Sequence, residues 1–263
     1  MHDMIIAVIL GIVEGITEFL PISSTGHMIL TGHLLDFDGP EASVFEVFIQ
    51  LGAILAVVMI YRDQFRQILT KSHGVRKGLT IKHVAAGILP VMAVGYVAHH
   101  FIKTYLFSTG TVIIGMIVGA LFMLYAEKRS GRPTVTKAAD LTIRQAMGVG
   151  LFQILALWPG FSRSGATIAG GLCLGVSRMA AAEFSFIIAV PLMMVACIYD
   201  VLKVWQSLSM ENIQMLAVGF VVSFVVAWAA VLWLLKFLNR SSLAAFAYYR
   251  FLLAAVSTWY FFF

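Results

Sequence analysis

Apolar residues along this chain fall in continuous runs rather than in alternation. Six runs approach the roughly 20 residues that a helix needs to cross a bilayer: residues 44–61, 83–102, 106–126, 180–199, 213–237 and 243–260. Two others break in the middle. Residues 4–20 stop early and resume as the short piece 28–35; residues 146–158 stop early and resume as 166–176. The first pieces are short for a span, and the pieces after the breaks are much too short. The pattern predicts six transmembrane helices and two re-entrant helical hairpins, each entering and leaving on one side. Such irregular backbone is tolerated at membrane depth only where protein or a cavity surrounds it. A spanning β-barrel would need short alternating segments, which are absent.

The break in the first hairpin lies in GIVEGITEFLPISSTGH, residues 11–27. Glu14 and Glu18 share one helix face, Pro21 ends regular helix, and Ser23, Ser24 and Thr25 are N-cap candidates for a second helix over about residues 26–35. Carboxylates in a lipid-soluble segment are expensive and usually mark function. The second break, WPGFSRSG at residues 158–165, carries Arg163 among hydroxyls and glycines.

Composition agrees with this reading. The 263 residues are 60% hydrophobic and 12% charged, with a mean hydropathy of +0.93, which makes this an all-α polytopic membrane protein. The net charge of +5 does not point to nucleic acid, because the basic residues sit in short inter-helix loops, where they set orientation. Arg62, Arg66, Lys71, Arg76, Lys77 and Lys82 fill one loop; Lys128, Arg129, Arg132, Lys137 and Arg144 fill another; Lys236, Arg240 and Arg250 are assigned to a third. These predict cytoplasmic loops, with the acidic loop 36–42, the loop 200–211 and both termini outside. The N-terminus, MHDM, lacks Lys and Arg and makes a poor signal peptide. Cys173 and Cys197 fall in apolar segments and are expected as free thiols.

The two broken runs match each other. Gly11 aligns with Gly150 at an offset of 139 residues, placing Glu14 over Gln153, Ser23 over Ser162, Ser24 over Arg163, Thr25 over Ser164 and Gly26 over Gly165. Glu46 lies near Glu183 in the same comparison. The chain therefore reads as two repeats within one structural domain, residues 1–139 and 140–263, each with one hairpin and three spans. Three crossings are odd, so the second repeat starts on the opposite side: an inverted-topology repeat, with hairpin tips meeting near the bilayer midplane.

Each tip leads into the N-terminus of a short helix, where free N–H groups and the positive dipole end favour anions. Arg163 on one tip and His27 on the other suit a phosphate or diphosphate, since the arginine fork matches phosphate oxygens. Ser23, Thr25, Gly26, Ser162, Ser164, Gly165 and Thr167 could add hydroxyl or backbone donors. Ser24 could act as nucleophile with His27 as general base, or a water ordered by Glu18 or a metal could attack while His27 protonates the leaving oxygen. Plainer readings stand beside these. The hydroxyls could be simple caps, and Arg163 could only neutralise Glu14 and Glu18. The two glutamates repel each other, so one would be protonated unless a cation sits nearby. It could be Arg163 or a divalent cation, Mg²⁺ or Ca²⁺, which takes carboxylate and phosphate oxygens. Glu46 and Glu183 read as first-turn carboxylates that offset helix dipoles. Gly115 and Gly119 would permit close helix packing, and most Trp and Phe are expected to face lipid or its interface.

EGITEFLPISSTGH and ALWPGFSRSGATI resemble the two signature regions of the bacterial undecaprenyl-pyrophosphate phosphatase family of the bacitracin-resistance type. The resemblance covers essentially the whole chain. Glu14 and Glu18 match the family's acidic motif, residues 21–27 its hydroxyl-and-histidine motif and residues 160–165 its arginine motif. It implies a plasma-membrane enzyme, open to the outer face, that removes the terminal phosphate of undecaprenyl diphosphate. It also implies a divalent-cation requirement, a homodimer, a role in recycling the lipid carrier for peptidoglycan synthesis, and bacitracin resistance. As catalytic residues it points to Glu14, Glu18, Ser24, His27 and Arg163. A transporter or lipid flippase is the competing class, because broken helices in inverted repeats are transporter architecture. The phosphatidic-acid type of lipid phosphatase fits poorly, since residues 162–200 contain no histidine to follow the arginine.

Overall fold

A computed structural model describes residues 2–70, 78–204 and 210–263. Its regular structure is helical, apart from one isolated parallel bridge between Val135 and Val176. The first broken run forms α1 (His2–Thr17) and α2 (Ser24–Leu34); α3 (Pro40–Ile60), α4 (Arg62–Thr70), α5 (Ile81–Phe101) and α6 (Thr109–Arg129) follow. The second forms α7 (Ile143–Gln153), a 3-10 turn (Ile154–Leu157) and α8 (Arg163–Cys173), then α9 (Arg178–Val204), α10 (Met210–Leu238) and α11 (Ala244–Phe262).

Among the described residues, five helical stretches are long and apolar enough to cross a membrane: Ala42–Ile60, Ile81–Leu106, Thr109–Arg129, Arg178–Ile198 and Ile213–Leu238. They coincide with five of the six expected spans. The sixth expectation corresponds to α11, whose 19 residues carry Tyr248, Tyr249 and Arg250 within an otherwise apolar run. The third span starts at Thr109 rather than at 106. There Ser108 accepts from the Thr111 N–H at 3.3 Å while Thr111 Oγ1 accepts from the Ser108 N–H at 3.1 Å, a reciprocal cap that sets the first turn.

Three details differ from the sequence reading. Part of the first basic loop is a helix, α4, with Ile68 buried; Lys71, Arg76 and Lys77 lie outside the described residues, as do residues 205–209 of the loop assigned outside. Arg250 is no loop residue: it sits inside α11 and is fully buried, at 0% exposure. Nor do all the phenylalanines lie at the surface. Phe19, Phe45, Phe184 and Phe186 are among the largest fully buried side chains, because a helix bundle of this size needs bulky residues between its members. Cys173 and Cys197 form no disulfide, as expected.

The packing exchanges partners between the halves. Hairpin helix α1 packs on α10, while its counterpart α7 packs on α5; α3 packs on both α9 and α10, and α6 on α11. Neither hairpin is therefore covered by its own half alone. The tip of the second hairpin seats against α6. A Cβ on Gly115 or Gly119 would collide with the carbonyls of Pro159 and Phe161, and one on Gly160, at φ +90°, with that of Val112. Gly115 thus makes room for the turn, and Gly119 for both the turn and the Arg250 guanidinium of α11.

Candidate functional site

Both breaks are built alike. Ser23 precedes α2 at φ 72°, ψ 91°, and Ser162 precedes α8 at φ 73°, ψ 117°. Non-glycine residues in this region carry strain of about 1–3 kcal/mol and survive only where the surroundings impose them. Here each Oγ turns back to cap its helix, accepting from the Gly26 N–H at 3.3 Å and the Gly165 N–H at 3.2 Å. The same strained serine cap at equivalent positions leaves Ser24 and Arg163 as the first residues of two helices that face one another.

The tips touch. Ser164 Oγ donates to the Leu20 carbonyl at 2.9 Å, and Arg163 Nη2 donates to Glu18 Oε1 at 3.0 Å. The other carboxylate oxygen, Oε2, accepts from Ser24 Oγ at 2.7 Å. Arg163 also lies 5.3 Å from the centre of the Phe19 ring, an attraction that fixes the guanidinium plane. Its Nη1 has only long contacts, 3.4 Å, to the Ser185 carbonyl and hydroxyl. Glu18 is 8% exposed and Glu14 4%.

Between the tips lies a cavity of about 180 Å³. Glu18, Ser23, Ser24 and Thr25 line it from the first hairpin, Ser162 and Arg163 from the second, together with Trp158, Gly160 and Gln50. The remaining residues singled out from the sequence stand behind this wall. Glu14 is one turn deeper in α1, and its carboxylate makes no hydrogen bond among the described residues; its backbone carbonyl accepts from the Glu18 N–H at 3.0 Å. Gly26 and Gly165 supply the capped N–H groups, and Ser164 ties the tips together. Thr167 Oγ1 donates to the Arg163 carbonyl at 2.8 Å and lies 2.6 Å from Ser185 Oγ, which steadies the first turn of α8.

His27 does not reach Ser24. Its Nδ1 lies 2.8 Å from the Ser23 carbonyl and its Nε2 2.8 Å from the Tyr249 hydroxyl. A carbonyl only accepts, so Nδ1 carries the proton; in the neutral ring Nε2 then accepts from Tyr249. The carboxylate of Glu18, rather than the imidazole, is the group against the Ser24 hydroxyl.

Gln50, Ser185 and Tyr249 were not singled out from the sequence. Gln50 is a polar residue in the apolar run of α3 and could have been flagged on that ground. Ser185 and Tyr249 carry no local signal, because only the packing of distant helices brings them to the hairpins. A metal would find oxygen donors only. Among the described residues no cluster of three or more His, Cys, Asp or Glu side chains could hold one. Of the two glutamates only Glu18 lines the cavity, and its two oxygens already accept from Arg163 and Ser24.

The chain matches the family described as Bacitracin resistance protein BacA over residues 7–256. It is 50% identical over 260 residues, 98% of each chain, to undecaprenyl-diphosphatase 1 of Bacillus thuringiensis (strain Al Hakam) and to that of Bacillus anthracis. It is 50% identical over 258 residues, 97% of each chain, to the undecaprenyl-diphosphatase of Nitratidesulfovibrio vulgaris (strain DP4). With the paired hairpins, their serine caps and the full-length identity all in agreement, the chain belongs to the BacA bacitracin-resistance family.

Proposed function

We propose that this membrane protein is an undecaprenyl-diphosphate phosphatase. It hydrolyses undecaprenyl diphosphate to undecaprenyl phosphate and inorganic phosphate, which recycles the lipid carrier for peptidoglycan synthesis and confers bacitracin resistance. The observation that carries the reading is the meeting of two 11-residue helices, begun by Ser24 and Arg163, on one cavity beside Glu18. Two helix N-termini and a guanidinium form a site for a multiply charged anion. Phosphoryl transfer asks mainly for such positioning and charge stabilisation.

Arg163 clamps the terminal phosphate with the donors that Glu18 leaves free. Ser24 Oγ attacks that phosphorus as its proton passes to Glu18 Oε2, the acceptor at 2.7 Å. The bridging P–O bond breaks, and its electron pair leaves with undecaprenyl phosphate. Water then cleaves the phosphoserine to inorganic phosphate and restores the hydroxyl. His27, held by Ser23 and Tyr249, fixes the first turn of α2 beneath the attacking group. Glu18 and Glu14 are the residues that would hold a divalent cation, and Mg²⁺ or Ca²⁺ there would offset diphosphate charge. The homodimer remains part of the proposal on the strength of the family resemblance.

Purified protein in liposomes tests the reading. Undecaprenyl diphosphate should release phosphate in the presence of Mg²⁺ or Ca²⁺, and EDTA should stop the release. Transbilayer movement of the lipid without phosphate release would instead identify a flippase.

We also propose two inverted repeats, residues 1–139 and 140–263, in the bacterial plasma membrane with the cavity open to the outer face. The exchange of partners between the halves and the basic loop at residues 127–144 support this. In a chain with Cys173 and Cys197 changed to alanine, a membrane-impermeant thiol reagent applied to intact cells should label Asp38→Cys and not Gly131→Cys. Labelling of the latter alone would reverse the orientation.

A further inference from the structure

Arg250 is the least expected residue in the bundle. Its guanidinium is fully buried, forms no ion pair among the described residues, and leaves Nε without a hydrogen-bond partner. A buried charge without a counter-charge is costly, so a bundle that merely needed to pack would carry an apolar residue here. What the guanidinium does contact is the second tip. Nη2 donates to the Gly160 carbonyl at 2.9 Å and to the Gly115 carbonyl of α6 at 3.2 Å. Nη1 lies under the first turn of α8, where a Cβ on Gly165 would stand 3.2 Å away. The preceding residue, Tyr249, contacts the other tip: its hydroxyl is 2.8 Å from His27 Nε2, and the two rings stack at 5.6 Å between centres and 7° between planes. Neither side chain lines the cavity, and the mechanism above uses neither in a chemical step.

We infer that Tyr249 and Arg250 form a positioning pair, through which α11 holds the two hairpin tips at the separation that one phosphate requires. Successive helix residues point about 100° apart, so one short segment can reach two facing tips. Tyr249 acts through His27, whose other nitrogen holds the Ser23 carbonyl and thereby the strained cap before Ser24. Arg250 acts through Gly160, the left-handed residue two positions before the Ser162 cap. Its unneutralised charge, placed at the start of α8, also adds to the positive field that the helix terminus presents to an anion. The inference rests on the phosphatase reading, and the wild-type rate in the same assay tests that reading separately.

Tyr249→Phe removes one hydroxyl at a half-exposed position and should leave thermal stability unchanged. Because it loses the bond to His27, kcat for undecaprenyl diphosphate should fall about tenfold with KM little changed, the worth of one hydrogen bond that orients the site. The same change made in a His27→Ala protein should cost nothing further, since its only route is gone. Arg250→Lys keeps the charge but cannot hold both carbonyls. It should raise KM and weaken inhibition by inorganic phosphate about tenfold, a shift that a merely structural arginine would not produce. Should the lysine variant fail to fold, the tyrosine cycle still decides. The inference is overturned if Tyr249→Phe turns over at the wild-type rate, if its loss adds in full to that of His27→Ala, or if a folded Arg250→Lys protein keeps wild-type KM and phosphate inhibition.

Discussion

Ser24→Ala should abolish most of the hydrolysis, on the order of a 10³-fold loss or more in kcat, while the protein folds and binds substrate normally. Ser24 opens α2 at the edge of the cavity, its hydroxyl already gives its hydrogen bond to Glu18, and Arg163 holds that carboxylate from the other side. A hydroxyl whose proton has an acceptor at 2.7 Å, and which stands at a helix N-terminus where an anion would bind, has what an oxygen nucleophile needs. Stability should change little, because the helix cap is Ser23 Oγ, not Ser24. If an ordered water attacked instead, the alanine variant would lose only a donor and about tenfold in rate. Steady-state kinetics on purified Ser24→Ala protein, with circular dichroism to show that it is folded, distinguishes the two.

Arg163→Lys should cost about 10–100-fold in kcat/KM, the worth of a charge-assisted hydrogen bond to phosphate. Lysine keeps the positive charge and can still pair with Glu18, so the tips should stay together. What it loses is the fork: one Nη holds Glu18 at 3.0 Å while the other faces long contacts of 3.4 Å and stays available to phosphate. It also loses the flat face that rests over Phe19. An ammonium must choose between the carboxylate and the substrate. Were the arginine only an ion-pair partner for Glu18, the lysine protein would turn over at close to the wild-type rate.

Much of this site is legible in the chain, and for a physical reason. A bilayer imposes lengths and penalises charge, so two broken apolar runs, two glutamates and one arginine stand out against the background. The offset that pairs Ser23 with Ser162 is visible without coordinates, and both serines prove to be the caps. Side-chain direction is not legible. Ser24 and His27 are three residues apart, which suggests a hydroxyl with its base, yet the imidazole turns to the Ser23 carbonyl and to Tyr249 while Glu18 takes the hydroxyl. Thr167 and Ser164 carry the right chemistry for a phosphate site and spend it on the Arg163 and Leu20 carbonyls. Arg250 groups in the sequence with the loop residues Lys236 and Arg240, and only the tertiary packing reveals it buried beneath the second tip. Gly115 and Gly119 fit a helix-pair pattern, and the room they leave is shared by the second tip's turn and, at Gly119, by Arg250 of α11.

The central claim is that the serine at the first tip takes the terminal phosphate at the place where the two hairpins meet. Rapid-quench reaction of purified protein with undecaprenyl diphosphate labelled in its terminal phosphate tests it most directly. The account predicts transient label on the chain, mapping to Ser24, that decays into inorganic phosphate and is absent from Ser24→Ala. Full-rate phosphate release with no label on the wild-type chain, together with substantial turnover by Ser24→Ala, would contradict it.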